Sequence, residues 1–123
     1  MADGPSRSFR ELTVWQKAHA LVLNVYKASA ALPNEERYGL TSQMRRAAVS
    51  VPANIAEGYR KLGRADKIRY LNIAQGSLEE VRYYLILTND FGYLTTDALA
   101  EQLDEVARLL AGYIFSLRRP PDS

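Results

Sequence analysis

Pro52 stands in the middle of a helical pattern, and that pattern limits what the chain can fold into. From Tyr38 to Arg60 the sequence reads YGLTSQMRRAAVSVPANIAEGYR. At about 100° per residue, Leu40, Met44, Ala47, Ala48, Val51, Ile55, Gly58, Tyr59 and Leu62 fall in one arc of roughly 120°, the stripe of an amphipathic helix. Arg45, Arg46, Glu57, Arg60 and Lys61 fall outside it. A proline ring at this place crowds the carbonyl of Ala48 and removes one backbone hydrogen bond, at about 3 kcal/mol in an isolated helix. The apolar pattern continues in phase on both sides, so the spacing predicts one kinked helix rather than two elements. Small residues (Ala47, Ala48, Ser50, Ala53, Ala56, Gly58) crowd the bend and let neighbouring helices approach closely.

Three more stretches carry helical periodicity. Before the proline helix, Val14, Trp15, Ala18, Leu21, Val22, Val25, Tyr26, Ser29 and Leu32 share a face, with Thr13 as the expected N-cap and Pro33 as the stop. Trp15 anchors the core near one end, and Leu23 lies off the stripe. After it, Gly63 is expected as a left-handed C-terminal cap. A third helix from about Arg64 to Phe91 then buries Leu71, Ala74, Leu78, Val81, Leu85 and Thr88, stepping three and four residues like a knobs-into-holes seam. Tyr70, Ile73 and Tyr84 widen that seam, while Ile68, Ile86 and Leu87 lie outside it. Gly76 weakens this helix by about 1 kcal/mol relative to Ala, which predicts a close backbone contact there. Gly92 caps the next turn. The fourth helix starts at Thr95 or Thr96 and buries Leu99, Leu103, Val106, Leu110, Tyr113, Ile114 and Leu117, with Asp104 and Arg108 as an i,i+4 pair. No alternation of period two appears. The fold class is therefore all-α, an antiparallel up-down-up-down four-helix bundle over residues 9–118, with residues 1–8 and 119–123 expected to be disordered.

The central stretch resembles the signature of the bacterial four-helix bundle family called 23S ribosomal RNA intervening-sequence proteins. VWQKAH at Val14 to His19, YLNIAQGSLEE at Tyr70 to Glu80 and GYL at Gly92 to Leu94 resemble the same family. Together they cover about Phe9 to Leu117. The resemblance implies a ring-like homopentamer. It also implies kinship with the accessory proteins of diversity-generating retroelements, basic pentamers that bind nucleic acid and a reverse transcriptase. The family's name records where some of its genes lie and states no activity. No catalytic residue, metal or cofactor comes with it.

The 123 residues suffice for one domain. The chain has no cysteine, which excludes disulfides, thiolate metal sites and cysteine nucleophiles. No apolar run approaches the roughly 18 residues of a membrane span, and MADGPSRS lacks the apolar core of a signal peptide, so a cytoplasmic protein is expected. Catalysis is not expected. His19 is the single histidine, at the edge of an apolar face, where a hydrogen-bonded structural role is the expectation. Di-iron bundles need two Glu-x-x-His pairs. Helical nucleotide-binding ribonucleases need a shorter Arg-to-His spacing than that of Arg10 and His19. The neighbours Glu79 and Glu80 diverge by about 100° and cannot face one substrate together.

Charge is where function enters. The net charge is +2, yet Arg37 to Arg69 holds eight basic residues against two acids, a net +6, and Asp90 to Ala107 holds five acids and no base. Separated signs either steer a polyanion to one surface or hold helices together. In the first reading Arg45, Arg46, Arg60, Lys61, Arg64, Lys67 and Arg69 bind the backbone of RNA or DNA, with Tyr59 and Tyr70 as stacking surfaces or, more ordinarily, as core. In the second, the basic segment of one subunit faces the acidic fourth helix of the next, and the charges serve assembly. The apolar surplus at Leu23, Ile68, Ile86, Leu87 and Phe115 predicts a subunit interface in either case, and a closed ring would repeat the basic segment around one axis.

Overall fold

Apolar side chains recurring every three or four positions drive four α-helices together in the structure, a computed structural model that describes residues 8–118. They are α1 (Thr13–Ser29), α2 (Leu40–Arg60), α3 (Arg64–Asp90) and α4 (Asp97–Arg118), with 3-10 turns at Phe9–Glu11 and Asn34–Glu36. No strand occurs among the described residues. Helix α2 lies against α1 and α3, and α4 closes the ring against α1 and α3, so α1 and α3 stand on one diagonal and α2 and α4 on the other. The core fills the space between them. Leu21, Val25, Val51, Ile55, Leu71, Leu78, Val81, Leu103, Val106 and Leu110 are all but inaccessible. At about 1.5–3 kcal/mol for each large apolar side chain, this burial is the main force assembling the bundle.

The proline does not divide α2, which runs unbroken from Leu40 to Arg60 with Pro52 itself buried. Two residues either side of it, polar groups bond within α2 and to α3. Asn54 Nδ2 donates to the Ser50 carbonyl at 2.8 Å and to Ser50 Oγ at 3.0 Å, and Ser50 Oγ meets Ser77 Oγ of α3 at 2.7 Å.

Glycine roles differ from those the spacing predicts. At Gly58 α3 lies close against α2: a Cβ there would sit 3.2 Å from the Lys67 carbonyl oxygen and 3.2 Å from the Tyr70 Cβ. A Cβ at Gly76 would meet nothing within 4 Å, so the expected close contact is absent within this chain. Gly63 has φ −90° and begins α3 instead of capping α2 in the left-handed region. Gly92, at φ 76°, does take the left-handed turn expected of it.

Several helix edges also shift. Helix α1 starts at Thr13, and the cap position falls on Leu12, which offers no side-chain hydrogen bond. Ser8 lies in ordered structure and caps the first turn, its hydroxyl accepting from the Arg10 amide at 3.1 Å. The other expected disordered positions, residues 1–7 and 119–123, lie outside the described residues. Thr96 precedes α4, and its hydroxyl donates to the Leu85 carbonyl at 3.1 Å. Leu62 leaves the stripe altogether, 93% exposed in the α2–α3 connection, because the helix ends two residues before it. Tyr26 and Ile73 are likewise exposed where core was expected. Ile68 and Leu87 show the reverse: both pack half-buried on the protomer's own core, while Leu23, Ile86 and Phe115 remain exposed. His19 stacks on Trp15, ring centroids 5.0 Å apart, and among the described residues it makes no hydrogen bond of the kind expected.

A long-range tie joins two connections. Tyr93 Oη donates to Glu36 Oε2 at 2.9 Å, and Glu36 Oε1 accepts from the Leu40 amide at 3.1 Å, at the start of α2. The bond to Glu36 holds the Tyr93 phenol above its ordinary range.

Two outcomes are expected from these contacts. Gly76→Ala should stabilise the protein by about 0.5–1 kcal/mol through helix propensity, whereas Gly58→Ala should destabilise it by about 1 kcal/mol or more despite the same gain, because a backbone carbonyl blocks the methyl; thermal melts of the two variants should move in opposite directions. The Tyr93 contribution should be full below its unfolded pKa of about 10 and fade as pH rises through the higher folded value. In denaturant titrations, Tyr93→Phe should therefore be less stable than the parent at pH 8, with the difference closing at alkaline pH.

Candidate nucleic-acid interface

The seven cations fall into two groups, since Arg45 and Arg60 are separated by about 22 Å of α2 at 1.5 Å per residue. Arg60, Lys61, Arg64, Lys67 and Arg69 gather where α2 ends and α3 begins, with Asp66 as the one acid in that span. The approach at Gly58 makes this junction tight. Lys67 Nζ donates to the Tyr59 carbonyl at 2.6 Å, satisfying an end carbonyl of α2, and lies 5.5 Å from the Tyr59 ring centroid. Lys61 and Arg69 both lie over the Tyr70 ring, each 4.8 Å from its centroid, and Arg69 also pairs loosely with Asp66 at 3.7 Å. Arg60 and Arg64 are exposed, and their side chains form no ion pair or hydrogen bond among the described residues. Tyr59 and Tyr70 are half-buried, so they serve as seats for cations and leave little face for a base.

Arg45 and Arg46 belong to the other end of α2. Arg45 is a structural cation: its Nε donates to the buried Ser29 Oγ at 2.8 Å and its Nη2 to the Tyr26 carbonyl at 3.2 Å, with its guanidinium 4.6 Å from the Tyr26 ring centroid. It ties α2 to the end of α1. Arg46 is exposed. Between them lies an open cleft of about 410 Å³, lined by Arg37, Arg45 and Arg46, the rings of Tyr26 and Tyr38, and the hydroxyl-bearing Thr41 and Ser42. Arg37 and Tyr38 are functional candidates that the sequence reasoning missed. The signal available was RY directly ahead of the helix, where no periodicity assigns Tyr38 to the core.

The acidic helix is partly neutralised within the protomer. Arg82 Nη1 of α3 donates to Asp104 Oδ1 at 2.7 Å, a bond that holds the guanidinium above its ordinary range. Asp104 therefore pairs across helices instead of with Arg108 as the spacing predicts. Lys17 of α1 approaches Glu105 at 3.6 Å. Glu101, Asp104 and Glu105, with Asn24, line a second open cleft of about 730 Å³ between α1 and α4. Among the described residues no group of three or more His, Cys, Asp or Glu side chains is placed to hold a metal ion, and no helix is long and apolar enough to cross a membrane.

Residues 10–112 match the family described as 23S rRNA-intervening sequence protein. The structure is similar to the crystal structure of a protein of unknown function, from the S23 ribosomal protein family, of Bacteroides thetaiotaomicron VPI-5482. The TM-score is 0.77 at 27% sequence identity, covering 83% of this chain and 98% of that one. No curated protein matches the chain.

The two kinds of cation should separate in stability measurements. Arg45→Ala, which strips two hydrogen bonds from the α1–α2 contact, should cost about 1–2 kcal/mol in chemical denaturation. Arg60→Ala and Arg64→Ala should stay within about 0.5 kcal/mol of the parent.

Proposed function

We propose that this chain, which belongs to the 23S rRNA-intervening sequence protein family, is a non-enzymatic binding protein. It offers the α2–α3 end of its bundle to the phosphate backbone of RNA or DNA. Arg64 carries the reading. Arg60 and Lys67 have a structural reason for their charge, because both lie at the negative C-terminal end of α2. Arg64 has none: it is exposed, and unpaired among the described residues, in the first turn of α3, where the positive end of the helix dipole disfavours a cation. Around it, Lys61 and Arg69 rest on an aromatic face worth about 0.5–1 kcal/mol at exposed sites, little enough for a phosphate to compete. Nothing here reads base edges, so binding follows the backbone and weakens steeply with salt.

The rival reading, in which the charges serve assembly, is weaker because Asp104 and Glu105 already have partners in their own protomer. Assembly itself is part of the proposal. Leu23 and Ile86 at 50% exposure and Phe115 at 66% supply unpartnered apolar surface on three helices. Their burial between copies of an up-down-up-down antiparallel bundle fits a homopentamer that repeats the basic end around its axis. The antiparallel run is supported by the pairing of Ser50 with Ser77, Thr96 with Leu85, and Arg82 with Asp104. A cytoplasmic setting, and a nucleic-acid-processing partner such as a reverse transcriptase, complete the proposal.

The test is salt-dependent binding of RNA and DNA fragments by the purified protein and by a variant carrying Arg60→Glu, Lys61→Glu and Arg64→Glu. The variant should keep the parent's sedimentation, lose at least tenfold in affinity, and show a salt slope shallower by about two to three. Unchanged affinity would sink the nucleic-acid reading. A parent that sediments as a lone 13.8 kDa particle at micromolar concentration would sink the pentamer.

A further inference from the structure

The cleft at the α1–α2 end differs from the basic junction in one respect: it holds a free aromatic face beside its cations. Tyr38 is 86% exposed in the turn before α2. The Arg37 guanidinium stands 5.6 Å from its ring centroid, and the rest of the ring is open to solvent. No carboxylate lines the cleft, and none of Arg37, Arg45 and Arg46 forms an ion pair among the described residues. The nearest acid in sequence, Glu36, is engaged by Tyr93 and by the Leu40 amide. Arg45 has committed its Nε and Nη2 to α1, so its charge is fixed in place at the wall of the cleft. Arg46 and Arg37 are exposed and adjustable. An aromatic ring left in water and the two exposed guanidinium groups of Arg37 and Arg46 do nothing for the bundle.

We propose that this cleft binds one unpaired nucleotide of a single-stranded RNA or DNA. The phosphate lies against Arg37 and Arg46 with Arg45 behind, and the base stacks on Tyr38. The inference rests on the nucleic-acid reading above, but concerns the opposite end of α2 and a different selectivity. A phosphate backbone is common to duplexes and single strands, whereas a free base face is offered only by an unpaired strand.

The test uses fluorescence anisotropy of the full chain with twelve-nucleotide oligo-U, twelve-nucleotide oligo-dT and a duplex of mixed sequence. Tyr38→Ala should weaken both single strands by roughly 5- to 150-fold, the range of one base–aromatic stack, and leave the duplex unchanged; Tyr38→Phe should bind like the parent. At an 86% exposed position neither change threatens folding. In Tyr38→Trp, the indole fluorescence should be quenched by the single strands and not by the duplex. A greater loss on oligo-U than on oligo-dT assigns RNA as the ligand, and the reverse assigns DNA. If Tyr38→Ala is silent, or weakens all three probes alike, this inference falls while the backbone reading stands. If the parent binds no probe at low salt, both fall.

Discussion

The close approach of α2 and α3 at Gly58 is the contact on which the rest of the molecule depends. With backbone and Cβ atoms of α3 only 3.2 Å from where a side chain would begin, any other residue there would have to push α3 back by a few tenths of an ångström. That approach shortens the connection to Lys61–Gly63 and aligns the end of one helix with the start of the next. The end carbonyl at Tyr59 then comes within reach of Lys67. A packing requirement thus brings Lys67 of α3 to the end of α2, while Lys61 and Arg69 share the Tyr70 ring.

Cations in this protein are divided by how firmly each is held. Arg45 is tied by two hydrogen bonds and a ring, and Arg82 by a short bond to Asp104 reinforced by Glu79. Both join neighbouring helices, and losing either opens a contact. Lys61 and Arg37 rest on tyrosine rings, and Arg69 adds a loose pair with Asp66 to its ring, preferences comparable to thermal energy at the surface. Arg46, Arg60 and Arg64 are held by nothing described. Side chains at both ends of α2 can therefore turn without dismantling the bundle.

Apolar surplus follows a similar division. Ile68 and Leu87 are absorbed by the protomer's own core, whereas Leu23, Ile86 and Phe115 stay in solvent. Single exposed apolar residues are common on soluble proteins. Leu23, Ile86 and Phe115 on three helices, in addition to the exposed Tyr83 and Ile73 of α3, leave apolar area that the protomer's own core does not cover.

The number and order of the helices, their faces and the passage of α2 through Pro52 were legible in the sequence, because a helix that buries one side must repeat its apolar residues every three or four positions, whatever it packs against. The basic junction was legible too, since its residues are neighbours in the chain. Only the tertiary structure decided what depends on how one helix is set against another. It made Gly58 rather than Gly76 the point of close approach, gave Asp104 to Arg82 instead of Arg108, withdrew Arg45 into a structural role, and brought Tyr26 of α1 beside Arg37, Tyr38 and Arg46. Periodicity specifies which face of a helix is buried. It carries no information on the register between helices, and register selects the partner of every side chain at the rim.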